Sequence, residues 1–245
     1  MAPKQPLEFY NEPLAGVDVS ELQGKLIVIE GPDAVGRTTQ IDRLRAWLEN
    51  QGHAVLDTGM ARSALAGKGI QQAKEGNTLG PITMTLFYAT DFADRLENEI
   101  IPALRAGFVV LTDRYIFSIM ARAIARGEDR AWIERVAGFA LAPHAVFYLR
   151  ADVPHLVSRV VLGRGAFDYW ESGMDMRFGN DMHDSFVRYQ ARMIRALDRM
   201  VKKYDFVVVD ANRSPDKIFE DLQRHISAMF RPHRARSRRV AGEGE

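Results

Sequence analysis

The chain has 245 residues, 47% of them hydrophobic, enough for one large α/β domain or two small ones with a sizeable core. It contains no cysteine, which excludes a disulfide framework, a thiol nucleophile and a zinc–thiolate site. The formal net charge of +1 conceals an asymmetry, because Arg231, Arg234, Arg236, Arg238 and Arg239 face only Glu243 and Glu245 in the last residues. No apolar run approaches a membrane span and the start lacks the apolar centre of a secretory signal, so a soluble cytoplasmic protein without a membrane partner is expected.

Residues 1–24 carry prolines and glycines without a sustained period and read as an N-terminal arm. Short apolar runs follow: KLIVIE at 25–30, AVL at 54–56, FVVLT at 108–112, AVFYL at 145–149 and FVVVD at 206–210. Runs without polar alternation are expected of strands covered on both faces, as in a parallel sheet. Between them, helical spacing predicts helices over 38–50, 82–106, 152–162, 181–203 and 215–229. This alternation predicts an α/β, doubly wound parallel sheet over 25–229, with every strand's carboxyl end on one edge. Residues 163–181, GRGAFDYWESGMDMRFGND, break the pattern and read as a mobile flap or an irregular, lid-like insertion. Residues 230–245 read as a basic tail, expected to be disordered and solvated; contact with nucleic acid is the alternative, and no such partner is expected.

The stretch GPDAVGRTT, Gly31 to Thr39, has the Gly-x-x-x-x-Gly-Lys-Ser/Thr spacing of a phosphate-binding loop between a strand and a helix, with Arg37 in place of lysine. Here Gly31, Pro32, Asp33, Ala34, Val35, Gly36, Arg37, Thr38 and Thr39 would cradle phosphates through backbone N–H groups and a helix N-terminus. The Thr38 hydroxyl suits Mg²⁺. Arginine keeps the charge of lysine but carries a larger planar fork. The third strand ends in TDRYIFS, which brings Asp113 and Arg114 to the same sheet edge. Asp113 suits a Mg²⁺ shell or activation of an acceptor oxygen, and Arg114 suits bidentate phosphate contact. A strand-end salt pair is the other reading of these two.

With these residues the chain resembles the thymidylate kinase family of nucleoside monophosphate kinases. The matching pieces are IEGPDAVGRTTQ (29–40), LFYATDFADRLENEIIPALRAGFVVLTDRY (86–115), VFYLRADVP (146–154) and VVVDANRSPDKI (207–218), in order across roughly residues 25–229. The resemblance implies a P-loop, nucleotide-kinase type sheet of five strands in the order 2-3-1-4-5. It also implies transfer of the ATP γ-phosphoryl group to dTMP with Mg²⁺ in dTTP biosynthesis, and a homodimer. It places Asp33 at the acceptor's sugar hydroxyl and Tyr88 on the thymine ring, makes Asp113 and Arg114 the family's Asp-Arg pair, and puts Arg159 and Arg164 where a lid begins. Arg37, Asp113, Arg114 and Arg164 are then the catalytic candidates, with Thr38 and Asp113 as metal ligands.

Three departures bear on the acceptor. Phe92 stands where the family has a base-contacting arginine, and Arg95, one turn on, is the substitute, or else the partner of Glu99 at i+4. Arg122 stands where the family has an aromatic residue. TGMARSALAGKGI (58–70) replaces the family's Arg-Glu-Pro-Gly type segment, leaving Arg62 as the candidate for the acceptor phosphate. The alternatives are a kinase for another nucleoside monophosphate and a catalytically impaired, nucleotide-binding regulatory protein.

Overall fold

The computed structural model describes residues 7–76 and 79–230. Five parallel strands form one sheet in the order β2-β3-β1-β4-β5. They are β1 (Lys25–Glu30), β2 (Val55–Gly59), β3 (Val109–Asp113), β4 (Ala145–Arg150) and β5 (Val207–Asp210). All five apolar runs are therefore strands, and the sheet has the predicted order.

Both faces of the sheet are covered, and the strands show why. Leu26 and Val28 of β1 join Val110, Val146 and Tyr148 in one core, while Ile27 and Ile29 join Val109, Leu111, Phe147 and Leu149 in the other. Successive strand residues point to opposite faces, so a fully apolar strand supplies both layers. The first core is closed by α3 (Pro81–Arg95), α5 (Ile116–Ala125) and α8 (Met182–Met200), through side chains such as Phe92, Phe117 and Met193. The second is closed by α1 (Arg37–Asn50), α7 (Val153–Gly163) and α9 (Pro215–Phe230), through Leu44, Leu156 and Leu222. Each such buried aliphatic or aromatic side chain contributes about 1.5–3 kcal/mol.

The helix expected over 82–106 is continuous but not uniform. Residues Leu96–Ile100 form a π-turn between α3 and α4 (Ile101–Arg105). Pro102 has no N–H to donate and its ring crowds the carbonyl of residue 98, so widening the preceding turn relieves that clash. Among the described residues three α-helices lie outside the predicted segments: α2 (Gly67–Glu75), α5 and α6 (Arg130–Val136). Eight of the ten residues of α5 are buried, so it shows no polar face to reveal a helical period. The other two span only nine and seven residues.

The described part of the arm is packed onto the body. Leu7 and Leu22 are buried, Phe9 bridges Leu141, and Tyr10 meets Phe117 and Tyr204 edge-on. Residues 163–181 form turns and one 3₁₀ turn (Met174–Met176) and are also packed: Trp170 and Ser172 are buried, and Ser185 Oγ donates to Ser172 O at 2.7 Å. The basic tail beyond residue 230 lies outside the described residues. Among the described residues no helix is long and apolar enough to cross a membrane.

Strand register sets the site. Ile29 pairs level with Asp113, and Asp113 level with Gly59, so the ends of β1, β3 and β2 line one edge. Gly31 then turns the chain with φ 156°, close under β4. A Cβ at this position would meet Leu149 O at 2.7 Å and Val35 Cγ1 at 2.9 Å. Gly31→Ala should therefore lose about 1–3 kcal/mol of stability, read as a lower urea midpoint; an unchanged midpoint would show that the contact yields freely.

Candidate functional site

Residues 31–36 leave β1 and enter α1 through two left-handed positions, Ala34 at φ 62° and Gly36 at φ 93°. Gly36 is the N-cap of α1 and no side chain caps the helix, so the first-turn amides face the loop's interior as a ready anion cradle. From the opposite side Arg159 of α7 donates to Val35 O at 2.6 Å and to Ala211 O at 2.5 Å, bracing the loop against the end of β5.

Arg37 begins α1 and bends back into the loop. Its Nε donates to Asp113 Oδ1 at 2.7 Å, and its Nη1 donates to Gly31 O at 2.8 Å and to Pro32 O. Lysine has no fork for such a clasp. Burial alone would lower the pKa of this guanidinium, but Asp113 and Asp33 raise it above its ordinary value. Burial likewise pushes the Asp113 carboxyl up, and Arg37 and Arg114 outweigh it and hold it below the usual range. Thr38 Oγ1 lies 3.4 Å from Asp113 Oδ2. Two hard oxygens at a phosphate cradle fit magnesium, which takes few protein ligands and completes its shell from substrate phosphates and water. Among the described residues no cluster of three His, Asp or Glu side chains forms an all-protein metal cage.

Arg114 follows Asp113 with φ 72°, a conformation that costs a non-glycine residue about 1–2 kcal/mol. The turn aims its buried side chain back under the loop, where it donates to Ser118 Oγ at 2.9 Å, Gly31 O at 3.3 Å and the carboxylate of Asp33. Asp33 is 1% exposed. Its Oδ1 also accepts from Arg122 Nη2 at 2.9 Å, and its Oδ2 accepts from Gln190 Nε2 at 3.0 Å. Burial would raise the Asp33 pKa, but Arg122, Arg114 and Arg37 together hold it well below the usual carboxylate range.

Arg122 leads from the loop into a narrow pocket lined by Met84, Thr85 and Tyr88 of α3, Ile119, Arg122 and Arg126 of α5, and Trp170 of the insertion. Its Nε is buried and has no hydrogen-bond partner. Tyr88 and Arg122 thus line one pocket, while Arg62 lies in the loop after β2, paired with Asp57 at 3.1 Å and close enough to Asp113 to help lower its pKa.

Two expected site residues lie elsewhere. Arg95 is 1% exposed and pairs with Asp91 at 3.1 Å, while Asp91 accepts from Ala61 N and Ser63 N at 2.9 Å each. Through Asp91 it braces the 58–70 loop from inside, and it does not line the pocket under Tyr88. It is not the partner of Glu99 either, which accepts from Thr58 Oγ1 at 2.7 Å. Arg164 is half exposed and bonded to Glu171 at 2.5 Å, with no contact to the phosphate loop.

Three further residues went unread in the sequence. Glu30 is fully buried, and its Oε1 accepts Tyr115 N at 2.8 Å and Ser118 N at 3.1 Å, fixing the start of α5; Oε2 accepts Ser118 Oγ at 2.6 Å. Burial holds its pKa above the ordinary glutamate value, the hydrogen bond from Ser118 opposing. A carboxyl ending an apolar strand was the available signal. Arg126 is held by Asp175 at 2.8 and 3.1 Å and by Tyr189 Oη. Gln190, on α8, carried no signal.

A parallel 2-3-1-4-5 sheet with a phosphate loop after its central strand, and an acidic-basic pair on the neighbouring strand end, defines a P-loop nucleotide kinase. A sequence model of the family described as "Thymidylate kinase" matches residues 29–222, and the chain belongs to the thymidylate kinase family of nucleoside monophosphate kinases. "Probable thymidylate kinase 2" of Saccharolobus solfataricus is 32% identical over 204 residues, 83% of this chain and 95% of the relative. "Thymidylate kinase" of Bifidobacterium longum subsp. infantis is 30% identical over 223 residues, 86% and 89% of the respective chains. "Probable thymidylate kinase" of Staphylothermus marinus is 30% identical over 209 residues, 85% and 97%.

The depressed Asp33 pKa implies a stability term that is complete above the ordinary aspartate value of 3.8 and is lost as pH falls through the folded-state value. Asp33→Asn should cost about 3–5 kcal/mol near neutrality, because it leaves buried guanidinium groups uncompensated. In denaturant unfolding the gap to the parent should narrow as pH drops below 3.8; a gap independent of pH would show that the ion pairs do not stabilise the fold.

Proposed function

We propose that this protein transfers the γ-phosphoryl group of ATP to dTMP, yielding dTDP and ADP, with Mg²⁺, as a cytoplasmic step in dTTP supply. The observation that carries this reading is two sets of ion pairs, Arg37–Asp113 and Arg114–Asp33–Arg122, joined where Asp113 and Arg114 follow one another in the chain, which together reach from the phosphate cradle to the pocket under Tyr88. Phosphoryl transfer depends on positioning and charge stabilisation, and this set supplies both.

On the donor side, the amides of residues 34–39 take the ATP phosphates. The Nη1 bonds of Arg37 go to neutral carbonyls and exchange for bonds to charged phosphate oxygens while Nε stays on Asp113. Thr38 and Asp113 hold the metal, which neutralises phosphate charge when bound. On the acceptor side, Tyr88 stacks on the base, Asp33 meets the sugar hydroxyl, and Arg114 with Arg62 takes the phosphate. The unpartnered Nε of Arg122 donates to the base. No carboxylate lines this pocket, so its donors favour a ring with carbonyl oxygens over one with amino groups. Nothing in the site favours a catalytically impaired protein. For a homodimer, exposed Leu65, Ile82 and Leu86 supply the apolar surface on the α3 side.

ADP release with ATP, Mg²⁺ and a panel of nucleoside monophosphates tests the reading. Turnover on dTMP is expected; ATP binding with no turnover on any acceptor would overturn it. Arg37→Ala should lose about 100-fold or more in kcat and Arg37→Lys about tenfold or less, since charge survives in the second. Equal kcat for Arg37→Ala and the parent would remove Arg37 from the phosphate site. Arg122→Met should cut the preference for dTMP over dCMP by about tenfold, the worth of one hydrogen bond. An equal loss on both would assign Arg122 to Asp33 alone.

A further inference from the structure

Gln190 lies on the inner side of α8 with no exposed surface. Its amide grips Asp33 twice: Oε1 accepts the Asp33 N–H at 3.1 Å and Nε2 donates to Asp33 Oδ2 at 3.0 Å. The same Nε2 donates to Glu171 O at 2.7 Å. Asp33 stands between Pro32, which has no N–H, and Ala34, held at φ 62°, so these two bonds fix the loop where its backbone is most constrained. Glu171 follows Trp170, whose side chain walls the acceptor pocket and whose indole N–H donates to Lys74 O on α2 at 2.8 Å. One buried amide therefore touches both the donor loop and the segment that closes the acceptor pocket. Only an amide supplies this set: a carboxylate cannot donate, and an apolar side chain can do neither.

We propose that Gln190 is a positioning residue that couples the phosphate loop to the 163–181 segment, holding Asp33 toward the acceptor and passing loop displacement on nucleotide binding to Glu171 and Trp170. Its catalytic consequence rests on the kinase reading; the mechanical coupling does not. The segment is anchored independently through Asp175 to Arg126, so a shift arriving at Glu171 bends it about Trp170 and alters the pocket wall without releasing the fold.

The coupling is read without turnover. Trp47→Phe with Trp132→Phe leaves Trp170 as the single tryptophan of the chain's three. In that protein, ATP with Mg²⁺ should shift the Trp170 emission, and adding Gln190→Met should abolish most of the shift while ATP affinity by calorimetry stays within about threefold. In kinetics, Gln190→Met should lower kcat about tenfold or more with KM for ATP within about threefold, a split that a loss of folded protein does not produce. Gln190→Glu is isosteric and donates only when protonated, and the introduced carboxyl faces Asp33 and Glu171, with Arg114 and Arg122 beyond Asp33. Its kcat should fall, relative to the parent, as pH rises.

The proposal is overturned if Gln190→Met keeps both the ATP-induced Trp170 shift and the parent kcat, or if Gln190→Glu follows the parent pH profile. If the parent turns over no nucleotide yet Trp170 responds to ATP through Gln190, the coupling stands and the kinase reading falls.

Discussion

The site is organised around one ion pair, the guanidinium of Arg37 against the carboxylate of Asp113. Arg37 opens the helix after β1 and Asp113 closes β3, so the 2.7 Å bond between them ties the phosphate loop to the neighbouring strand. The pair has a second task in the loop itself, because the same guanidinium holds the carbonyls of Gly31 and Pro32. A charge buried in this way is stable only with its partners in place, and the chain supplies them in alternation: Arg37, Asp113, Arg114, Asp33 and Arg122. Asp113, Arg114 and Asp33 sit on loops or strand ends of the sheet's carboxyl edge, Arg37 opens α1 beside them, and Arg122 reaches in from α5.

That edge is a consequence of register. Because Ile29, Asp113 and Gly59 are level across three parallel strands, the phosphate loop, the Asp-Arg pair and the loop with Arg62 emerge together. The two apolar layers hold this register, since a slip of one residue would exchange every strand side chain between the cores. Against that rigid base the site spends stability locally. Arg114 adopts a left-handed backbone, and Glu30 is buried with its pKa raised, yet both direct groups that the transfer needs: Arg114 toward Asp33, and Glu30 the start of the helix that carries Arg122.

What the sequence revealed follows from how local each signal is. The strands were readable because both faces are covered and the runs are uniformly apolar, and the phosphate loop because its glycines answer to close approach and positive φ within nine residues. Helix α5 escaped for the converse reason, being apolar on nearly all sides. Arg95 was misplaced because helical spacing offers acidic partners on both sides, Asp91 at i−4 and Glu99 at i+4, and only packing decides between them. Arg126 and Gln190 act on residues far along the chain, Asp175 and Asp33, so no local pattern announces them.

The most direct test of this account is a double-mutant cycle in kcat/KM across Arg37→Ala and Asp113→Ala. If the pair works as one unit, the double variant should lose about as much as the worse single variant, leaving a coupling of at least about 1.5 kcal/mol. Losses that simply add would contradict the account, because Arg37 and Asp113 would then serve the reaction independently.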